Sequence, residues 1–408
     1  MDSLTQMVLG AAVGEVVLGK KAGNRAMLVG AIGGTIPDLD ILAYFVTDEM
    51  SALAFHRGLM HSIFFAVVAP FFFGWLTARF YEKEIYKKRT YKTLAFSFWV
   101  FVFVAVIFQF NKIIAPPEGG INWGVIKYFA LGGAVAGYGL WHFFFRSKPL
   151  ETTISWKEWA WLFFWSIFTH PLLDSCTSYG TQLFQPFWDY RVALNNISVV
   201  DPLYTVPFLI CVLVAGFFSR NNVWRQRINW LGIGLSSAYM LFTGYNKIRV
   251  DRVFERSFAE KGIEYRRYRT APTILNNILW QGVAEGDSLY YYGEYSLLDA
   301  EPRVLSFLEF PKNHYLIDKY AGNRDVEILK WFSKGYYWIS ERPDGKLQFN
   351  DLRTISLGST GKERVSVFKF TIEEKDGKVI VKSSDDDRAP TKEALDMFFK
   401  RIRGIAEN

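Results

Sequence analysis

Six side chains able to bind a cation or move a proton lie in three short motifs. They are Asp38 and Asp40 in Pro37-Asp38-Leu39-Asp40, His56 and His61 in His56-Arg57-Gly58-Leu59-Met60-His61, and His170 and Asp174 in His170-Pro171-Leu172-Leu173-Asp174. Each motif borders an apolar stretch, where an ionisable group is costly and needs a partner. A shared divalent metal meets that need. His170 and Asp174 stand four apart, which sets both on one face of a helix. His56 and His61 are five apart, about 140° around an ideal helix, so His56 is expected in the loop before the helix, with Gly58 easing the turn. Asp38 and Asp40, following Pro37, suit an extended exit in which both carboxylates reach forward. Three imidazoles and three carboxylates suit zinc, with manganese or iron as alternatives, and outnumber the ligands of one tetrahedral ion, so one or two ions are expected.

Read singly, each of these residues has a plain structural role as a helix cap or a hydrogen-bonded pair; it is their clustering that argues for a site. Around them, Asp201 before Pro202 is a candidate general base, with a helix N-terminus as the simpler reading. Arg57 would suit a phosphate or carboxylate of a substrate. Glu15, inside the first apolar stretch, needs a partner such as Arg25 and is read as structural. The segment Ser175 to Phe187 is expected to form a loop over the site. His142 reads as interfacial, His314 as structural, and the run 385–387 as a solvated loop.

The elements that must position these residues follow from composition. Half of the 408 residues are hydrophobic, 18% are aromatic and 21% charged, and the apolar ones concentrate in the first 245 positions. Helices are expected near 4–19, 25–46, 59–78, 93–114, 123–145, 158–173, 201–218 and 228–246, several at the roughly 17–25 residues a spanning helix needs. The expected fold is an all-α polytopic membrane domain of about eight transmembrane helices over 1–249, followed by a smaller α+β soluble domain over 250–408. Lys and Arg crowd the loops 20–25, 79–92, 146–157 and 220–227, while 47–58, 115–122 and 174–200 hold only Arg57 and Arg191. By the excess of cations in cytoplasmic loops, the three motifs and the C-terminal domain are expected on the extracytoplasmic side of the inner membrane. The first helix, lacking a basic segment before it, is read as retained. The net charge of +7 is accounted for by these loops, and no nucleic acid is expected as a partner. Cys176 and Cys211 imply neither a disulfide framework nor a thiolate zinc site.

Beyond residue 250, strands are expected at Ser288 to Leu298, Tyr336 to Ser340, Lys346 to Phe349, Val365 to Ile372 and Lys378 to Lys382. Helices are expected at Arg252 to Ala259, Asp325 to Lys334 and Lys392 to Arg403.

Asp2-Ser3-Leu4-Thr5, Gly10 through Glu15, Gly33 through Asp40, His56-Arg57-Gly58 with His61-Ser62, and His170 through Asp174 with Gly180-Thr181 occur in this order. Over about residues 1–250 this pattern resembles the membrane-bound metal-dependent hydrolases, also described as LexA-binding inner-membrane hydrolases. The resemblance implies metal-dependent hydrolysis with no defined substrate. The leading expectation is a hydrolase in which Asp38, Asp40, His56, His61, His170 and Asp174 bind metal, and Arg57 and Asp201 assist attack of water on a phosphoester or lipid-like ester. Membrane lipids are the expected surroundings. The alternative is a non-catalytic scaffold, or a metal transporter using the same cluster.

Overall fold

The computed structural model describes residues 1–114, 153–353, 368–375, 377–384 and 392–405, with isolated positions between 127 and 145. Most of the helix expected at 123–145, His142 and the acidic run 385–387 lie outside the described residues.

Asp2 starts the first helix, α1 (Ser3–Ala22), by accepting from the Thr5 backbone N–H at 3.0 Å, the cap role short carboxylates favour. Gly23, at φ 58°, separates it from α2 (Asn24–Thr35). The two helices cross at glycines spaced four apart. A Cβ on Gly14 would stand 2.1 Å from the Ala26 carbonyl oxygen, and one on Gly34 would stand 2.5 Å from that of Gln6. Only glycine allows such backbone contact, the device by which membrane helices associate closely.

After Thr35 the chain tightens into a 3₁₀ segment, Ile36–Phe45, which carries Asp38 and Asp40. Helix α3 (Glu49–Phe55), a 3₁₀ turn at Leu59–His61 and helix α4 (Ile63–Glu82) follow. Among the described residues, the remaining full helices of this half are α5 (Arg89–Ile114), α6 (Trp156–Ser175), α7 (Pro202–Phe217) and α8 (Val223–Glu260).

The expectation of about eight transmembrane helices is overturned. Among the described residues, two helical stretches are long and apolar enough to cross a membrane, Asn24–Phe45 and Ile63–Glu82. Buried polar groups interrupt two of the others: Thr5, Gln6 and Glu15 in α1, and Ser166, His170 and Asp174 in α6. Helix α7, at 16 residues, measures about 24 Å at 1.5 Å per residue, short of a hydrocarbon core of about 30 Å. The stretch expected as a final span, 228–246, belongs to α8, a single 38-residue helix that runs on through charged residues to Glu260.

Two four-stranded antiparallel sheets follow, each with neighbours in chain order. The first holds β1 (Arg267–Pro272), β2 (Leu279–Glu285), β3 (Leu289–Ser296) and β4 (Phe307–Pro311). Its core is closed by the end of α8, where Val250, Val253, Phe254 and Phe258 pack on Trp280, Ala284 and Tyr295. The second holds β5 (Tyr337–Glu341), β6 (Leu347–Asp351), β7 (Lys369–Lys375) and β8 (Lys378–Ser383). Helix α9 (Arg324–Phe332) lays Val326, Leu329 and Phe332 against Ile339, Phe349, Phe370 and Ile372 of that sheet. Helix α10 (Lys392–Ile402) ends the described chain, and Arg401 pairs with Asp299.

The chain divides into two units, Met1–Pro70 with Leu162–Asn408, and Phe71–Trp161. Within the second, Tyr81 stacks on Trp159 with ring centroids 5.3 Å apart.

Candidate metal centre

Asp38, His61, His170 and Asp174 offer four ligand atoms that all lie within 4.8 Å of one another. They come from the 3₁₀ segment after α2, the 3₁₀ turn before α4, and the last turns of α6. The two Nε2 atoms face each other at 3.1 Å. Asp38 Oδ1 lies 3.6 Å from His61 Nε2 and 3.4 Å from His170 Nε2. Asp174 Oδ2 lies 3.5 and 3.6 Å from the same two atoms. An ion bound tetrahedrally at about 2.0–2.1 Å separates its ligand atoms by about 3.3–3.4 Å; five of the six edges lie close to that figure, and the sixth, from Asp38 to Asp174, is within 4.8 Å.

The electrostatics point the same way. His170 Nδ1 stands 2.5 Å from the Gly34 carbonyl oxygen, which can only accept, so Nδ1 carries hydrogen and a neutral ring turns its Nε2 lone pair inward. His61 Nδ1 lies 3.1 Å from Asp40 Oδ2, close but off the hydrogen-bond line. With both rings neutral and carrying hydrogen on Nδ1, two nitrogen lone pairs would face two carboxylate oxygens, in a site where His61, His170 and Asp174 are fully buried. Asp174 Oδ2 itself has no hydrogen-bond donor. Arg57 Nε and the Met1 amino group offset the Asp174 charge from outside the cluster, and a cation among the four inward-facing atoms would satisfy the rest. The donor set, mixed nitrogen and oxygen, fits a divalent metal.

Asp40 and His56 take supporting positions. Asp40 Oδ1 bonds His56 Nδ1 at 2.8 Å, and its Oδ2 accepts from the Arg57 backbone N–H at 2.7 Å while facing His61. A carboxylate behind a ligand imidazole fixes the ring's orientation and raises its basicity. Arg57, at φ 55°, is buried; its Nε is 3.1 Å from Asp174 Oδ2, and its Nη1 donates to Thr177 Oγ1 at 3.1 Å. Asp201 lies elsewhere in the hydrogen-bond network. It caps α7 through Leu203 N and Tyr204 N and accepts from the Tyr239 hydroxyl at 3.0 Å; burial pushes its carboxyl pKa up.

Several residues that touch the cluster carry no charge and so gave no signal of their own in the sequence. Gln6 Nε2 donates to Asp174 Oδ1 at 2.8 Å, Ser3 Oγ donates to Asp38 Oδ2 at 2.9 Å, and Gly34 supplies the carbonyl that orients His170. The Met1 amino group also contacts Asp174. Glu15 is paired with Arg225 rather than Arg25, through two parallel bonds of 2.7 and 2.6 Å.

A family model described as YdjM inner membrane protein matches residues 1–111 and 127–250, more than half of the chain and every residue of the cluster. No curated protein and no solved structure matches significantly.

Proposed function

This chain belongs to the YdjM inner membrane protein family, and on that footing we propose that it is a membrane-embedded metal-dependent hydrolase. Asp38, His61, His170 and Asp174 hold one divalent ion, zinc first by donor type. The observation that carries the reading is the convergence of four ligand atoms within 4.8 Å of one another, five of their six separations at 3.1–3.6 Å. When bound, such an ion supplies Lewis acidity and a water acidified toward neutral pH. The protein's own groups hold the rings through Asp40 and the Gly34 carbonyl, and exclude solvent from three of the four ligands. Asp38, with 17% of its side chain exposed, is the member from which a substrate would approach. Arg57, beside Asp174, is placed to meet an anionic oxygen, which favours a phosphoester over a neutral ester.

A second reading has an observation of its own. Four protein donors saturate a tetrahedral zinc, as in structural sites, whereas catalytic sites keep a position open. Purified full-length protein should carry close to one metal per chain by elemental analysis, and His61→Ala or Asp174→Ala should abolish it. Hydrolysis of phosphoester probes, lost with the metal and restored on its return, supports the hydrolase. Full metal occupancy with no turnover of any phosphoester or carboxylic ester would assign a structural ion instead.

The cation-poor segment 47–58, between two spans flanked by the cation-rich 20–25 and 79–92, supports the extracytoplasmic side for the centre in this reading, and the packing of Met50 and Leu53 with Ile317 and Val326 supports the same side for residues 250–408. A cysteine introduced at exposed Thr47, with Cys176 and Cys211 changed to Ser, should react with an impermeant maleimide added from that side. Labelling from the cytoplasmic side alone would reverse the orientation.

A further inference from the structure

Five cationic side chains gather where the loop between α6 and α7 meets the two sheets. Tyr179 lies between Arg57 and Arg191, whose guanidinium carbons are 4.8 and 5.0 Å from its ring centre. Arg191 also stands 4.8 Å from the Trp331 ring and 5.5 Å from that of Phe332, on which Arg353 packs at 4.5 Å. Lys334 Nζ donates to the Arg191 carbonyl oxygen at 2.8 Å, and Arg269 reaches Tyr336 at 6.0 Å.

Their charges do not balance. Arg57 has Asp174, and Arg353 has Asp351 through bonds of 2.6–3.0 Å. Arg191, Arg269 and Lys334 have no carboxylate at ion-pair distance among the described residues. Arg191 is 2% exposed and Arg353 is 3% exposed. Arg191 Nη2 donates to the His56 carbonyl oxygen, with the Tyr179 side chain as a further neutral partner, and Arg269 Nη2 donates to Asn195 Oδ1. Arg191 Nε and Nη1, Arg269 Nη1 and Arg353 Nη1 are buried without an acceptor. Burial, followed by the charges of Arg269, Arg353 and Arg191, pushes Lys334 down to about 7.

Unpaired buried cations are costly, and flanking aromatic faces attract them but supply no acceptor for the idle N–H groups. An oxyanion supplies both charge and acceptors. The donors arrive from four chain segments: the loop after α6, β1, the end of α9 and the end of β6. One planar carboxylate is satisfied by a single guanidinium fork, whereas a tetrahedral dianion accepts from several directions at once. We propose that Arg191, Arg269, Arg353 and Lys334 form a binding site for a phosphate group carrying two negative charges. The site includes none of the four metal-cluster residues and does not rest on the hydrolase reading. The phosphate would come either from a soluble phosphate or diphosphate or from a phosphomonoester lipid headgroup.

The test uses full-length protein in nanodiscs of phosphatidylcholine, with thermal unfolding and calorimetry against inorganic phosphate and pyrophosphate at ionic strength matched with chloride. A second arm replaces part of the lipid with phosphatidic acid. Saturable binding in the first arm identifies a soluble ligand, and stabilisation confined to the second identifies a headgroup; either outcome supports the site. Arg269→Gln and Lys334→Gln should weaken that binding about tenfold, the equivalent of one charged hydrogen bond. Both are partly exposed and remove unpaired positive charge beside Arg191 and Arg353, so the variants should unfold no earlier than the parent without phosphate. Absence of a response in both arms, or responses unchanged in both variants, would overturn the proposal.

Discussion

Asp40 shows how little of a side chain's role follows from its type. It stands two residues from Asp38 and carries the same carboxylate, yet its two oxygens are spent on His56 Nδ1, the Arg57 backbone N–H and the outer nitrogen of His61. Asp38, by contrast, sends Oδ1 toward both Nε2 atoms. Their separate duties predict separate phenotypes. Asp38→Asn removes a ligand and should strip most of the metal. Asp40→Asn keeps shape and hydrogen bonding but loses the charge behind His61, so metal affinity should fall about 10–100-fold while the protein still folds. Competition with a calibrated chelator distinguishes the two; equal losses would remove the distinction between ligand and support. The sequence presented six candidates of suitable type, and the i, i+4 spacing of His170 and Asp174 matches their convergence on one point. It could not rank them, because which imidazole meets which carboxylate depends on where three separate segments cross. Gln6, Ser3 and Gly34 had no chance of selection from type alone, since a neutral amide, a hydroxyl and a backbone carbonyl occur everywhere.

At the level of elements, what sequence reading recovers tracks how strongly each segment shows its own period. Strands β3, β5, β6, β7 and β8 and helices α9 and α10 lie within a few residues of the expected positions, because aromatic and β-branched residues or a clear amphipathic period mark them. Strand β2 was not anticipated. All but its last residue are buried, so the alternation that betrays a half-exposed strand is missing, and Gly282 within it sits where a Cβ would be 2.2 Å from the Phe254 ring. The membrane half failed for the opposite reason. Its apolar residues are abundant, but a run such as 228–246 says only that lipid or protein covers it. The run does not say that the helix ends there, and α8 continues to Glu260 with no helix-ending proline or positive-φ glycine before Gly262. Part of the buried polar content of helices α1 and α6 belongs to the centre they build, so the same Gln6, His170 and Asp174 that make the site also lower the membrane signal of the helices carrying them.

Across the whole chain, the two metal motifs nearest in sequence are joined by a segment that the C-terminal sheet holds. Helix α3 lies between Asp40 and His56, and its Met50 and Leu53, 1% and 5% exposed, enter the core formed by Ile317, Val326, Leu329 and Ile339. Polar contacts reinforce the docking: Arg324 lies 3.4 Å from Asp48, and Glu49 accepts from the Ser383 backbone N–H at 3.1 Å. The exposed ion pair adds little; the buried methionine and leucine carry the attachment. Residues 250–408 therefore pack on the helix whose ends lead to the Asp40–His56 pair and on to His61. Met50→Ala should destabilise the docked segment by roughly 2–5 kcal/mol, the usual cost of emptying such a core position. If that docking sets the register of Asp40 and His56, metal should dissociate faster from Met50→Ala although residue 50 touches no ligand. An Arg324→Ala control, which removes only exposed polar contacts to Asp48, Ser51 and Asp325, should retain metal as the parent does. Metal release at the parental rate from a Met50→Ala protein whose C-terminal core is shown by hydrogen exchange to have loosened would separate the domain's stability from the centre, leaving the sheets without a part in positioning it.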